Sequence, residues 1–318
     1  MTRSAHPLNA KENRLCALLG TKYPLMQGAM AWVADARLAA AVSNGGGLGI
    51  IASGAMPPDL LEKEIESARR LTDRPFGLNL MLMSPTVSDA LDIAEKYRVP
   101  VVTTGAGSPG KVLKRLKPLG VTVIPIIASV ALARRVERQG ADAVVAEGTE
   151  AGGHIGELTT MTLVPQVADA VDIPVIAAGG IADGRGVAAA FALGADGVQM
   201  GTRFICCSEC TAHAEFKQAI LEAQDRDTVI TGVTTGHPIR CLRNRLTAEF
   251  EKMEARGASA REIEELGIGK LRAGVVDGDA EWGSLMAGQC SGMVNDIRPA
   301  AEIIEGLFSE AGEILKKN

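Results

Sequence analysis

Aromatic side chains are scarce: Phe, Trp and Tyr make up 3% of the 318 residues. Large rings therefore cannot fill a core, and the 47% apolar content must pack chiefly through Ala, Val, Ile, Leu and Met. Charge of one sign is also missing as a run. A net charge of −5 without a basic stripe argues against a nucleic-acid-binding protein. Apolar runs of membrane length are absent, since the longest, near 171–181, is interrupted by Asp, Pro and Gly. The first twenty residues carry charges and no apolar leader core, so no signal peptide is expected and a cytoplasmic protein is. Six cysteines in such a chain read as reduced thiols. Cys206, Cys207 and Cys210 cluster with His213 nearby, but no fourth ligand stands at finger spacing, so a buried strand end is expected there and no metal site.

Short apolar runs are plentiful. They fall at 23–27, 48–51, 76–80, 99–103, 121–126, 143–147, 174–178 and 197–200, with starts 22 to 31 residues apart, the length of one βα unit. Continuous rather than alternating apolar residues imply strands covered on both faces, hence a parallel sheet. Eight such units predict a TIM-type (β/α)8 barrel, with an open doubly wound sheet as the alternative. Helices are predicted between them, at 35–43, 58–71, 88–97, 108–116, 129–139, 163–171 and 184–193, with Ser88, Ser108 and Ser129 as N-caps. Beyond the eighth run the rhythm breaks. The expected organisation is a barrel over 1–208, a mostly helical insertion or lid over 209–287, and a C-terminal segment, 288–318, whose helix closes the barrel.

In such a barrel the chemistry lies at the C-terminal strand ends. The first run ends in Gln27-Gly28-Ala29-Met30-Ala31, small residues that could lie against a flat ring, and the third ends at the amide of Asn79. The seventh and eighth lead into Gly179-Gly180 and Gly201-Thr202, the usual place for a barrel phosphate site. Together these features suggest flavin mononucleotide. No Gly-x-Gly-x-x-Gly turn follows the first run, which disfavours a Rossmann site, and no serine sits in a nucleophile elbow. The sixth run ends at Glu147 and opens into a loop with glycines at 148, 152, 153 and 156 around His154. That loop is expected to pass close to the cofactor and to present the imidazole, with Glu147 or Glu150 tuning its pKa.

These residues also carry a resemblance. Gln27-Gly28-Ala29-Met30-Ala31-Trp32, Glu150-Ala151-Gly152-Gly153-His154, Ala177-Ala178-Gly179-Gly180-Ile181 and Gly194-Ala195-Asp196-Gly197-Val198-Gln199-Met200-Gly201-Thr202-Arg203 resemble the nitronate monooxygenase (2-nitropropane dioxygenase) family. His154-Ile155-Gly156 and Ser284-Leu285-Met286-Ala287-Gly288-Gln289 are most similar to its flavin-dependent enoyl-acyl-carrier-protein reductase II branch. The resemblance implies an FMN barrel that takes electrons from NADH or NADPH and reduces the C2–C3 double bond of a trans-2-enoyl thioester on acyl carrier protein, the last step of the fatty-acid elongation cycle. It implies flavin contacts at Ala29, Met30, Ala31, Asn79, Glu147, Gly179, Gly180, Gly201 and Thr202, with His154 as the active-site histidine. A response to monovalent cations and a homodimer are implied as well.

Oxidation of nitronates on the same scaffold is the alternative, and a flavin- or phosphate-binding sensor a third reading. The run His237-Pro238-Ile239-Arg240-Cys241-Leu242-Arg243-Asn244-Arg245 concentrates three arginines. It is open to three readings: docking of an acidic carrier protein, binding of dinucleotide phosphates, or a solvated helix face.

Overall fold

The computed structural model describes residues 12–54 and 56–316. The first eleven residues, over which a signal peptide was not expected, lie outside the described part, as do the last two. Eleven strands are described: β1 (Leu25–Gln27), β2 (Gly49–Ala52), β3 (Phe76–Met81), β4 (Val101–Gly105), β5 (Thr122–Ile127), β6 (Val144–Glu147), β7 (Gly153–His154), β8 (Val175–Ala178), β9 (Gly197–Met200), β10 (Thr228–Thr231) and β11 (Ile239–Leu242). Eight of them form one parallel sheet in the order β1-β9-β8-β6-β5-β4-β3-β2.

The two ends of that order meet through a parallel bridge between Met26 and Leu48, which makes the sheet a (β/α)8 barrel of TIM type and excludes the open sheet. The join is short, and the buried Gln27 side chain extends it. Its amide accepts from Ile50 N at 3.0 Å and donates to Ile50 O at 3.3 Å, supplying the pairing that a longer β1 would have made.

Both faces of the strands are covered, which is why their sequences do not alternate. Met26, Ile50, Val101, Ile124, Val145 and Ile176 pack inside the barrel with Leu15 and Leu19. Leu25, Ile51, Leu78, Val102, Val144, Val175 and Val198 face the surrounding helices. The helix Arg14–Leu19 underlies the interior, tied down by the bidentate pair of Arg14 with the fully buried Asp196 at 2.8 and 3.0 Å. Gly49 shows how closely the outer layer sits, because a Cβ there would lie 1.9 Å from Ala39 O.

The predicted helices are present with shifted ends. Asp35, Ser129 and Asp183 cap Ala36–Asn44, Val130–Arg138 and Gly184–Ala192 through their side chains. Two expected caps are corrected. Ser88 lies inside Val87–Lys96, which starts after Thr86 because the Val87 N–H turns back onto Ser84 O. Ser108 precedes Gly110–Leu116, whose N-cap position is held by Pro109. The 163–171 helix runs earlier, over Thr160–Ala168.

After β9 the chain is mostly helical, through Ala214–Glu222, Arg245–Ala255, Ala260–Gly267 and Lys270–Val275, but it also contains the antiparallel hairpin β10–β11. The last helix, Ala300–Lys316, packs between Gly184–Ala192 and Ala36–Asn44, where the eighth barrel helix belongs. Glu310 accepts from Gly184 N at 2.8 Å, and Phe308 stacks on Tyr23 at 4.9 Å.

Candidate active site

The C-terminal strand ends surround a cavity of about 480 Å³. Every expected flavin contact and the expected active-site histidine line it: Ala29, Met30 and Ala31 after β1, Asn79 on β3, Glu147 at the end of β6, His154 on β7, Gly179 and Gly180 after β8, and Gly201 and Thr202 after β9. Asn79 is oriented by its own amide, which donates to Thr103 Oγ1 at 2.9 Å on the next strand. Thr202 Oγ1 accepts from Gly288 N at 2.9 Å, so the turn after β9 also anchors the segment before the last helix.

The glycine turns are shaped for something to lie against them. Gly179 and Gly180 have φ of +95° and +74°, and a Cβ on Gly179 would come 2.9 Å from Gly148 O and 3.0 Å from Thr160 Oγ1. Only glycine meets both the handedness and the spacing. Nearby, Gln199 lines the cavity with a buried Oε1 that has no hydrogen-bond partner among the described residues. A buried acceptor without a donor is costly, and a ligand N–H would satisfy it. Small residues at 28–31, glycine turns at two strand ends and an orphaned amide oxygen fit a flat cofactor with an anionic tail. No group of three His, Cys, Asp or Glu side chains gathers for a metal among the described residues.

Glu147 sits deep in the mouth, where its half-buried side chain meets the cavity rather than bulk water. Burial pushes its pKa up to about 7. His154 is exposed, but the walls around it displace enough water to lower its pKa, and His237 lowers it further. The expected tuning by Glu147 or Glu150 is corrected here. Glu150 is committed elsewhere, with Oε1 and Oε2 accepting from Thr160 N at 3.0 and 2.9 Å and Oε2 from Thr160 Oγ1 at 2.9 Å.

The glycines of the His154 loop likewise serve protein contacts. A Cβ on Gly148 would lie 2.1 Å from Thr160 Oγ1, one on Gly152 2.7 Å from the Ala287 backbone, and one on Gly156 2.5 Å from Ala128 Cβ. Close packing against protein, and not only against a cofactor, demands them. The loop is also stitched to the insertion: Ile239 and Arg240 of β11 pair with His154 and Gly153, Ile155 N donates to Pro238 O at 3.1 Å, and Gln289 N donates to Glu150 O at 2.9 Å.

That pairing also revises the arginine run. Arg240 is 4% exposed and points into the protein, donating to Thr149 O at 3.0 Å and Thr228 Oγ1 at 3.1 Å. Arg243 and Arg245 stay exposed and pair with Glu251 and Glu281. The run is therefore a strand and a helix start, not one basic face. Cys206, Cys207 and Cys210 are buried, and Lys217 Nζ donates to the carbonyls of Cys207 and Cys210.

Several lining residues escaped the sequence reading. Met81, Ile126 and Leu132 belong to barrel elements, whereas Phe216, Leu271 and Val275 reach the cavity from the insertion. Gln199 had a legible signal, a polar residue between Val198 and Met200 in a strand otherwise buried on both faces. Met286 lay within a quoted run. The insertion residues carry no local mark, because only the fold brings them to the rim.

Comparison with known proteins agrees with this geometry. A solved structure of FabK from Thermotoga maritima is 51% identical, covers 96% of this chain and 97% of its own, and superposes with a TM-score of 0.94. A nitroalkane oxidase from Streptomyces ansochromogenes is 33% identical, with 95% and 99% covered and a TM-score of 0.85. A (3aS,4S,5R,7aS)-5-hydroxy-7a-methyl-1-oxo-octahydro-1H-indene-4-carboxyl-CoA dehydrogenase from Mycobacterium tuberculosis is 37% identical over 93% of this chain and 95% of its own. The family model described as Nitronate monooxygenase matches residues 12–98 and 88–310. The chain belongs to the nitronate monooxygenase family of flavin-dependent oxidoreductases.

Proposed function

We propose that the protein is an FMN-dependent enoyl-acyl-carrier-protein reductase that uses NADH or NADPH. The carrying observation is that His154, held by β11, lines the same largely apolar cavity as the glycine turns after β8 and β9. The 51% identity to FabK over nearly the whole chain supports the same reading. Ala29, Met30, Ala31, Asn79, Glu147 and Gln199 would hold the flavin ring and side chain, and Gly179, Gly180, Gly201 and Thr202 its phosphate. Bound FMN would supply two-electron transfer between the nicotinamide and the β-carbon of the enoyl thioester.

The chain's own residues supply the rest. Desolvation by the cavity walls, and then His237, lowers the His154 pKa and favours its neutral form, which retains one N–H to donate to the thioester carbonyl oxygen, where negative charge grows during reduction. Met81, Ile126, Leu132, Ile155 and Met286 line the cavity with apolar surface that displaces water around that charge. The proposed partner is acyl carrier protein, the proposed assembly a homodimer, and a monovalent cation a proposed activator.

An anaerobic titration tests the reading. NADH or NADPH should bleach the visible flavin absorbance, and a trans-2-enoyl thioester should restore it. His154→Ala should stay yellow while enoyl turnover falls by about 10²–10⁴-fold. A flavin that neither nucleotide bleaches, in a protein that consumes a nitronate with O2, would instead establish the nitronate reading favoured by the 33% identical nitroalkane oxidase.

A further inference from the structure

The hairpin that holds the His154 loop brings a second imidazole with it. His237 stands in the turn between β10 and β11, where the sequence marked only a basic run. Its place relative to His154 follows from the register. Ile239 pairs with His154, and Pro238 O accepts from Ile155 N at 3.1 Å. The Pro238 bond carries the pairing one residue past β11, so the His237 backbone lies diagonally across from His154. Diagonal neighbours across antiparallel strands are about 7–8 Å apart, within reach of two imidazoles.

The turn fixes this placement. His237 N donates to Thr235 Oγ1 at 3.2 Å, Gly232 and Gly236 have φ of +73° and +76°, and a Cβ on Gly232 would lie 3.3 Å from His237 O.

Other charged groups around His154 are spent or turned away. On its own loop, Glu150 is bound to Thr160 and Glu157 is exposed beyond the strand. Glu147 sits at the barrel end of the cavity. On β11, Arg240 lies opposite Gly153, on the face away from Ile239, and bonds to Thr149 O. The 284–289 segment that packs against Gly152 carries no ionisable side chain. Desolvation lowers the His154 pKa most, and His237 is the side chain that lowers it further.

We propose that His237 is a positioning residue of this site, a like group set beside His154 by the hairpin to keep the His154 ring uncharged and able to donate one N–H. Two positive charges held this close would repel, so the uncharged form of the His154 ring is the one the pairing favours. The substrate side of this proposal rests on the reductase reading, but the pairing can be tested without turnover.

The test is a histidine-selective ¹H–¹⁵N imidazole NMR titration of the full-length, flavin-loaded protein. The four resonances are assigned by single substitution of His6, His154, His213 and His237. His237→Ala is expected to shift the His154 titration to higher pH. His237→Lys, which keeps a positive charge, is expected to leave it where it is or move it lower, and His213→Ala is expected to have no effect. The acid limb of kcat/KM should move with the His154 midpoint.

An unmoved His154 midpoint in both His237 variants overturns the proposal. So does an equal upward shift in both, which would indicate a steric rather than an electrostatic role. An upward shift in His237→Ala alone, in a protein that fails to reduce any enoyl thioester, upholds the pairing and removes the reductase reading. An unchanged melting temperature in His237→Ala confirms that the shift does not come from unfolding.

Discussion

The turns after β8 and β9 and the loop around His154 reach the same cavity by different means. Gly179-Gly180 and Gly201-Thr202 are extensions of barrel strands, and their positions are set by the parallel ladder on which they sit. The His154 loop leaves β6 and is held from outside, by β11, by the Arg240 side chain and by the backbone at Gln289. The proposed cofactor side is therefore set by the barrel, while the imidazole of the proposed active site is held in place by the insertion. Damage to the first should appear as lost flavin, and damage to the second as lost turnover with flavin retained.

The largest effect is expected on the barrel side. Gly179→Val places a β-branched residue at φ +95° with a Cβ 2.9 Å from Gly148 O. The protein is expected to purify colourless, with flavin affinity reduced by at least about 100-fold, roughly 2.7 kcal/mol. A yellow Gly179→Val protein would remove the turn from the cofactor site.

Arg240→Met tests the other side of the comparison. It removes two hydrogen bonds from a buried cation, a loss of about 2–3 kcal/mol that chemical denaturation can read. Because Thr149 O loses its donor next to the His154 strand, turnover should fall by more than flavin content. Equal losses would show that the loop and the barrel rim form one unit.

Glu147→Gln sharpens the comparison through pH. The Glu147 pKa is raised from 4.5 to about 7, so between those values the folded chain holds a proton that the unfolded chain releases. Stability therefore falls as pH rises through that window, by on the order of 1–3 kcal/mol, and Glu147→Gln should remove this part of the slope. Melts of flavin-free protein at pH 5 and pH 8 check it, and parallel wild-type and variant curves would contradict the assignment. The smallest effect is expected for Thr202→Val, which leaves Gly288 N without its acceptor. About 1 kcal/mol is expected, with the melting temperature as the readout.

The barrel was legible because both faces of every strand are buried, which writes each strand as an unbroken apolar run such as Val144-Val145-Ala146. The glycine turns were legible because the positive φ of Gly179 and Gly180 is one that side-chain-bearing residues rarely adopt. His154 could be found as an imidazole in a glycine loop, but the protein contacts that also demand those glycines could not. Gly148, Gly152 and Gly156 face Thr160, Ala287 and Ala128, contacts that sequence order does not reveal.

The β7–β11 pairing was invisible for the same reason, since a two-residue strand has no periodicity. The other strand of the hairpin, β10, did leave a trace: Thr228-Val229-Ile230-Thr231 is a β-branched run inside a segment read as mostly helical. The Gln27 closure was hidden too, because an amide that completes a ladder looks the same in sequence as one that meets a ligand.

The tie between Gly288 and Thr202, with that between Gln289 and Glu150, also sets a timetable for synthesis. All eight barrel strands have been translated by Met200, whereas the segment that clasps the rim follows only at Gln289. At roughly 5–20 residues per second, the interval is about 5–20 s. A chain stalled on the ribosome near residue 270 is expected to resist protease through its barrel strands and to be cut within 148–156. For those seconds the nascent chain is a bowl without its clasp, and His154 is among the last parts of the molecule to find its place.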